Sequence, residues 1–196
     1  MAMGSPMVEK VIKYNVPYRA SVLFVGINPH PGSDRHGIPF SNNRNFWYNL
    51  SRAGLIHNSV EELKDDRNLM RVYTEDFPGI YGYGFMNIVD RPTVNTTLLQ
   101  KGEEVAGVRR IQQEIVEKKP LVVCFIGKVT YSKFSGENGF NLGFQESRID
   151  DSAVYISSFP IRGLNSTRVA EMAELGRIVD RLREDRDNKD RVGHLG

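Results

Sequence analysis

Four short runs of apolar, largely β-branched residues punctuate the chain: ASVLFVG at 20–26, FMNIV at 85–89, LVVCFI at 121–126 and AVYIS at 153–157. The third is apolar throughout, as a strand covered on both faces should be. Between the runs the spacing turns helical. Phe46, Trp47, Leu50 and Ala53 fall at i, i+1, i+4 and i+7, and Gly54 sits where a helix C-terminus takes a left-handed residue. Ser59 with Glu62 has capping-box spacing. Val105, Val108, Ile111, Ile115 and Val116 predict a longer amphipathic helix that ends before Pro120. A last helix carries Val169, Met172, Ala173, Ile178, Val179 and Leu182 on one stripe, and its charged end from 180 to 191 reads as solvated. The segment 140–144 is a candidate extra strand, antiparallel to the run near Ala153.

Strands alternating with helices predict an α/β fold: three α/β/α layers around a central, mostly parallel sheet of four strands, or five with the extra one. The 196 residues suit one domain, with 1–15 expected to be flexible or partly tag and 185–196 a frayed tail. Hydrophobic residues at 40% and charged residues at 26% exclude a disordered or fibrous chain. The single cysteine, Cys124, excludes a disulfide framework, a CxxC zinc site and a four-cysteine cluster. His30, His36, His57 and His194 show no i, i+4 or HxH pairing, so no metal site and no cofactor are expected. A net charge of +2 is compatible with an anionic partner without requiring one. No apolar run approaches the roughly 20 residues of a membrane helix, and no stretch of signal-peptide type opens the chain. The expectation is a monomer with no membrane partner, nuclear in a eukaryote or cytoplasmic in a bacterium.

In an open α/β sheet, ligands bind beyond the carboxyl ends of the strands. The loops leaving the four runs are GINPHPG at 26–32, continuing as a polar loop to GIPF at 37–40; DRPT at 90–93; GK at 127–128; and FPIRGLNS at 159–166. Together with NFW at 45–47 and NIVDRPT at 87–93, these segments resemble the mismatch-specific branch of the uracil-DNA glycosylase superfamily. The resemblance runs in order from about residue 20 to about residue 179.

That resemblance implies hydrolysis of the N-glycosidic bond of a uracil, or a thymine, mispaired with guanine in double-stranded DNA, with the base flipped out of the stack. Asn28 matches the family's water-positioning asparagine. Phe40 matches the aromatic on which the flipped base stacks, and Gly26, Ile27 and Asn87 fall at substrate-binding positions, with the Ile27 and Phe40 N–H groups facing the base carbonyls. Lys128, at a strand-to-helix junction, is a candidate phosphate contact. Arg162, Gly163, Leu164 and Ser166 occupy the loop that in the family enters the duplex. Here the sequence departs from the pattern: Phe159 and Ile161 replace the first and third residues of an Asn- or Met-Pro-Ser motif, and one residue is inserted. The segment 42–45 is also altered, being one residue shorter. The histidine of the faster superfamily members is missing, so no general acid is assigned. A histidine beside Asn28, His30, is read as an exposed loop residue within reach of substrate, Asp90 and Arg91 as a turn-stabilising ion pair, and Cys124 as a buried inert thiol. Two other functions remain open at this point: a DNA protein that binds mismatches or lesions without cleaving, and a phosphate-binding α/β enzyme built on Gly127-Lys128.

Overall fold

The computed structural model describes residues 11–193. Five strands build one sheet: β1 (Val22–Gly26), β2 (Tyr83–Asn87), β3 (Val122–Ile126), β4 (Gly143–Ile149) and β5 (Ser152–Ser157). Their order is β2-β1-β3-β5-β4, parallel except for β4, which runs antiparallel to β5. The extra strand therefore exists, but it begins at Gly143 rather than 140. Phe140 instead turns its ring edge-on to Tyr131, at 4.8 Å between centroids.

Among the described residues, seven α-helices cover the sheet: α1 (Pro31–His36), α2 (Asn45–Arg52), α3 (Asp66–Arg71), α4 (Phe77–Gly79), α5 (Glu104–Lys118), α6 (Lys128–Ser135) and α7 (Asn165–Gly193). Side chains alternate across each strand, so the four parallel strands feed two cores, while the edge strand β4 is mostly exposed. Val22, Phe24, Cys124 and Tyr155 face one layer, with Trp47, Phe77 and Leu175. Leu23, Val25, Phe125 and Ile156 face the other, with Ile111, Ile115 and Phe134. This is the expected three-layer α/β/α architecture. Burying a side chain such as Phe24 contributes about 1.5–3 kcal/mol.

The Ser59–Glu62 capping box forms in both directions, Glu62 accepting from the Ser59 N–H and Ser59 Oγ from the Glu62 N–H. Other expectations are corrected. The segment read as a polar loop after Pro29 contains α1, with His30 as its N-cap and Pro31 in its first turn. Within α5, Val105 and Val116 are exposed, and the buried line runs through Gly107, Ile111 and Ile115. A Cβ on Gly107 would stand 1.6 Å from the Ile88 carbonyl oxygen, so only glycine lets α5 cross the end of β2. Residues 11–15 are not loose: Ile12 is buried, the Lys13 carbonyl accepts from Tyr73, and Tyr14 donates to Asp90. Residues 1–10 and His194 lie outside the described residues. Of the tail expected to fray, 185–193 continue α7, and Asp190 pairs with Arg19 at 2.5 Å.

Candidate active site

The chain moves from β1 outward to β2 and then returns across β1 to β3 on its other side, so a crevice opens past the carboxyl ends of the central strands. A cavity of about 170 Å³ lies there. The exits of β1, β2 and β5 supply its walls, through Asn28, Asn87, Thr93 and Phe159 among others, and Phe40 reaches it from the turn after α1. None of the described residues lining it is Asp or Glu.

Asn28 is oriented by its amide nitrogen. Nδ2 donates to Thr93 Oγ1 at 2.8 Å, to the Pro29 carbonyl at 3.2 Å and to the Arg91 carbonyl at 3.3 Å. Thr93 Oγ1 spends its own proton on the Asn95 carbonyl at 2.7 Å, so toward Asn28 it acts only as an acceptor. The amide cannot flip without losing these bonds, and Oδ1 is left as the atom offered to the cavity. The Thr93 N–H also bonds the Pro29 carbonyl at 3.1 Å, tying the β1 and β2 exits together. Thr93 was part of a recognised motif, yet its role was invisible because the partner lies 65 residues away in sequence.

Phe40 stands in the left-handed region, at φ 56°. Such a backbone costs a non-glycine residue about 1–3 kcal/mol and persists only where its surroundings enforce it. Its ring stacks on Phe46 with centroids 4.8 Å apart, and Phe85 and Phe159 meet it edge-on at 5.8 and 6.2 Å. The Ile27 and Phe40 N–H groups have no protein acceptor among the described residues.

Asn87 is 3% exposed and lines the cavity. Gly26 does not line it. A Cβ there would lie 2.5 Å from Asn87 Oδ1, so Gly26 serves by leaving room for that amide. Tyr14 stands beside Asn87, its phenol held far above the ordinary value by burial first and by Asp90 second. The Asp90–Arg91 pair does not form: Asp90 takes Arg110 and the Tyr14 hydroxyl, while Arg91 bonds Glu103 at 2.6 Å. The cause is α5, which crosses at Gly107 and brings both partners over the loop.

His30 is not an exposed loop residue. Its Nδ1 accepts from the Gly32 N–H at 3.1 Å, and it lines the cavity. With Nδ1 accepting, a neutral ring carries its proton on Nε2. Cys124 is buried and its thiol pushed up to about 12 by desolvation, so it is inert.

Lys128 opens α6 but belongs to an adjoining cavity of about 500 Å³, shared with Arg162 and separated from Asn28 by Ile27 and Phe159. Arg162, Gly163, Leu164 and Ser166 are exposed beside the cavity mouth without lining it. Leu164 is 73% exposed, and Gly163 has φ 72°. Two charged residues of α7 hold this segment, neither of them legible beforehand. Arg168 donates to the Arg162 and Gly163 carbonyls at 2.5 and 2.6 Å, and Glu171 accepts from the Ser158 N–H and hydroxyl.

The sequence model of the uracil DNA glycosylase superfamily matches residues 13–182. The chain belongs to this superfamily. The match spans every strand and all the loop residues described above, from Lys13 to Leu182 in α7. A phosphate-binding enzyme built on Lys128 would need neither the oriented Asn28 nor the cavity-facing Phe40.

Proposed function

We propose that this uracil DNA glycosylase superfamily member hydrolyses the N-glycosidic bond of uracil mispaired with guanine in double-stranded DNA, leaving an abasic site, with thymine the second base to test. The observation that carries the reading is the fixed amide of Asn28, a residue that lines the cavity and whose nitrogen is anchored on Thr93.

A flipped pyrimidine stacks on the cavity side of Phe40, an interaction worth about 1–3 kcal/mol. Asn28 Oδ1 accepts a hydrogen bond from water and holds it beneath C1′. As the C1′–N bond breaks, its electron pair leaves on the base and the sugar becomes oxocarbenium-like; water adds to C1′ and releases a proton to solvent. The Ile27 and Phe40 N–H groups bond the base carbonyls and stabilise the departing anion. The Asn87 amide reads the pyrimidine edge, offering both a donor and an acceptor. An amide is no strong base and the cavity lining holds no carboxylate, so the chemistry is slow and rests on positioning. Leu164 or Arg162 fills the stack vacated by the flipped base.

Alkali-induced strand breaks in labelled G·U, G·T, A·U and single-stranded oligonucleotides test this reading. Breaks at uracil in the G·U duplex, exceeding those in A·U, are expected. Tight binding of G·U without breaks would instead identify a mismatch-binding protein, a reading to which the altered loop at Phe159 and Ile161, both at the cavity wall, lends support.

A further inference from the structure

Strand β2 lies at one edge of the sheet, so the outward polar groups of its last residue, Asn87, need partners from elsewhere in the chain. Arg110 on α5 donates to the Asn87 carbonyl at 2.7 Å. The same guanidinium pairs with Asp90 through both terminal nitrogens and lies over the Tyr14 ring, 5.7 Å from its centroid. Tyr14 packs on Phe85 at 6.2 Å, and its hydroxyl donates to Asp90 Oδ1 at 2.7 Å. The phenol is thus held on several sides, beside a buried asparagine that lines the base cavity.

A hydroxyl has one proton, and here Asp90 takes it. Toward Asn87 the phenol oxygen is therefore an acceptor alone, and the group that can face it is the amide nitrogen. Two further observations agree. Burial, and then Asp90, holds the phenol far above its ordinary value, while the Asn87 side chain acts in the other direction, as a donor does and a carbonyl does not. Oδ1 for its part lies over Gly26, where a Cβ would stand only 2.5 Å from it. Reversing the amide would set two acceptors face to face. Held this way, Asn87 offers Oδ1 as an acceptor and its remaining N–H as a donor. A pyrimidine with N3–H beside a C4 carbonyl matches that order, whereas cytosine, with an acceptor at N3 and an amino donor at C4, reverses it.

We propose that Tyr14, its proton committed to Asp90, is a positioning residue that fixes the Asn87 amide to accept from N3–H, so that uracil-type pyrimidines are bound and cytosine is turned away. The proposal deepens the glycosylase reading and rests on it for its DNA partner, but not on the chemistry. Guanine faces cytosine in every normal pair, so a preference for guanine opposite does nothing to spare cytosine, and the pocket itself must make that choice. Both asparagines of the cavity then owe their orientation to a hydroxyl whose proton is spent on a third group: Thr93 on the Asn95 carbonyl, Tyr14 on Asp90.

The test uses binding, which does not depend on cleavage. Two duplexes carry 2′-fluoroarabinouridine or 2′-fluoroarabinocytidine, whose fluorine opposes an oxocarbenium-like sugar and blocks hydrolysis. Each stands opposite a tetrahydrofuran abasic site, so neither base is paired, and a third duplex carries tetrahydrofuran on both strands. The full chain is expected to bind the uracil duplex at least about tenfold tighter than the cytosine duplex, the lower end of what a matched hydrogen-bond pair is worth in base discrimination. Tyr14→Phe keeps the ring and removes the oxygen. Its ratio is expected to fall below about threefold, because an amide free to turn offers either end, while the third duplex binds as before. A merely structural role would weaken all three duplexes together and leave the ratio unchanged. An unchanged ratio in Tyr14→Phe overturns the proposal, as does equal binding of uracil and cytosine by the parent protein, a result that decides the matter even if the variant does not fold. A parent that prefers the uracil duplex yet leaves G·U uncleaved would remove the proposed activity, while the ratio in Tyr14→Phe would still judge the role of Tyr14. Failure of the parent to bind any of the three duplexes overturns both.

Discussion

The amide nitrogen of Asn28 lies 2.8 Å from the hydroxyl oxygen of Thr93, and Thr93 has already committed its proton to the Asn95 carbonyl. The relay makes Thr93 an obligatory acceptor, and it decides which end of the Asn28 amide meets the cavity. Thr93→Val keeps the shape and removes the acceptor. Cleavage of G·U duplex is expected to fall by about 5- to 150-fold, the equivalent of leaving one buried polar partner unmatched at about 1–3 kcal/mol. Single-turnover rates with saturating enzyme measure it, and a rate within twofold of the parent would show that Pro29 and Arg91 orient Asn28 unaided.

Asn28→Ala removes the water-holding oxygen itself. The expected loss is at least about 100-fold in rate, the scale of deleting one preorganised polar group at a reacting centre. Duplex affinity, carried mainly by phosphate contacts, should change only a few-fold. A retained rate would move the catalytic role elsewhere, with His30, which lines the same cavity, the next residue to test.

Leu164 and Arg162 occupy the same loop with different chemistry. If Leu164 is the wedge, Leu164→Ala slows G·U and A·U cleavage equally, because an apolar plug is indifferent to the opposite base. Arg162→Ala is expected to hurt G·U more if the guanidinium itself touches guanine. Parent-like rates of the double alanine variant on both duplexes would show that this loop does not enter the helix.

The Arg91–Glu103 pair braces the loop that carries Thr93. Arg91, and then the Gln100 N–H, hold the Glu103 carboxyl down at about 2, below the ordinary carboxylate value of about 4.3. Because the folded value is the lower one, the contribution is present above about pH 4.3 and is lost as pH falls toward about 2. Urea unfolding at pH 5 and pH 3 should show a smaller acid-side loss in Glu103→Gln than in the parent. Identical losses would mean that the pair adds no stability in solution.

The amino-acid sequence by itself determined the layers, because strand and helix periodicities are local. The runs at 20–26, 121–126 and 153–157 became β1, β3 and β5 with ends moved by at most two residues. It also determined where chemistry gathers, since polar and glycine-rich exits from apolar strands stand out without a structure. Asn28, Phe40 and Asn87 do meet at one cavity. What only the tertiary structure decided is how those groups are held. Whether Gly26 touches substrate or makes space, which acceptor fixes Asn28, and which cation faces Asp90 all depend on chains crossing far apart in sequence. Gly107 sets the last of these by letting α5 approach the Ile88 carbonyl, which delivers Arg110 to Asp90 and Glu103 to Arg91. Arg168 is the sharpest case. On a helical wheel it is one charge among many, and only the folded chain turns it inward, because the loop before α7 supplies carbonyls that a buried cation must have.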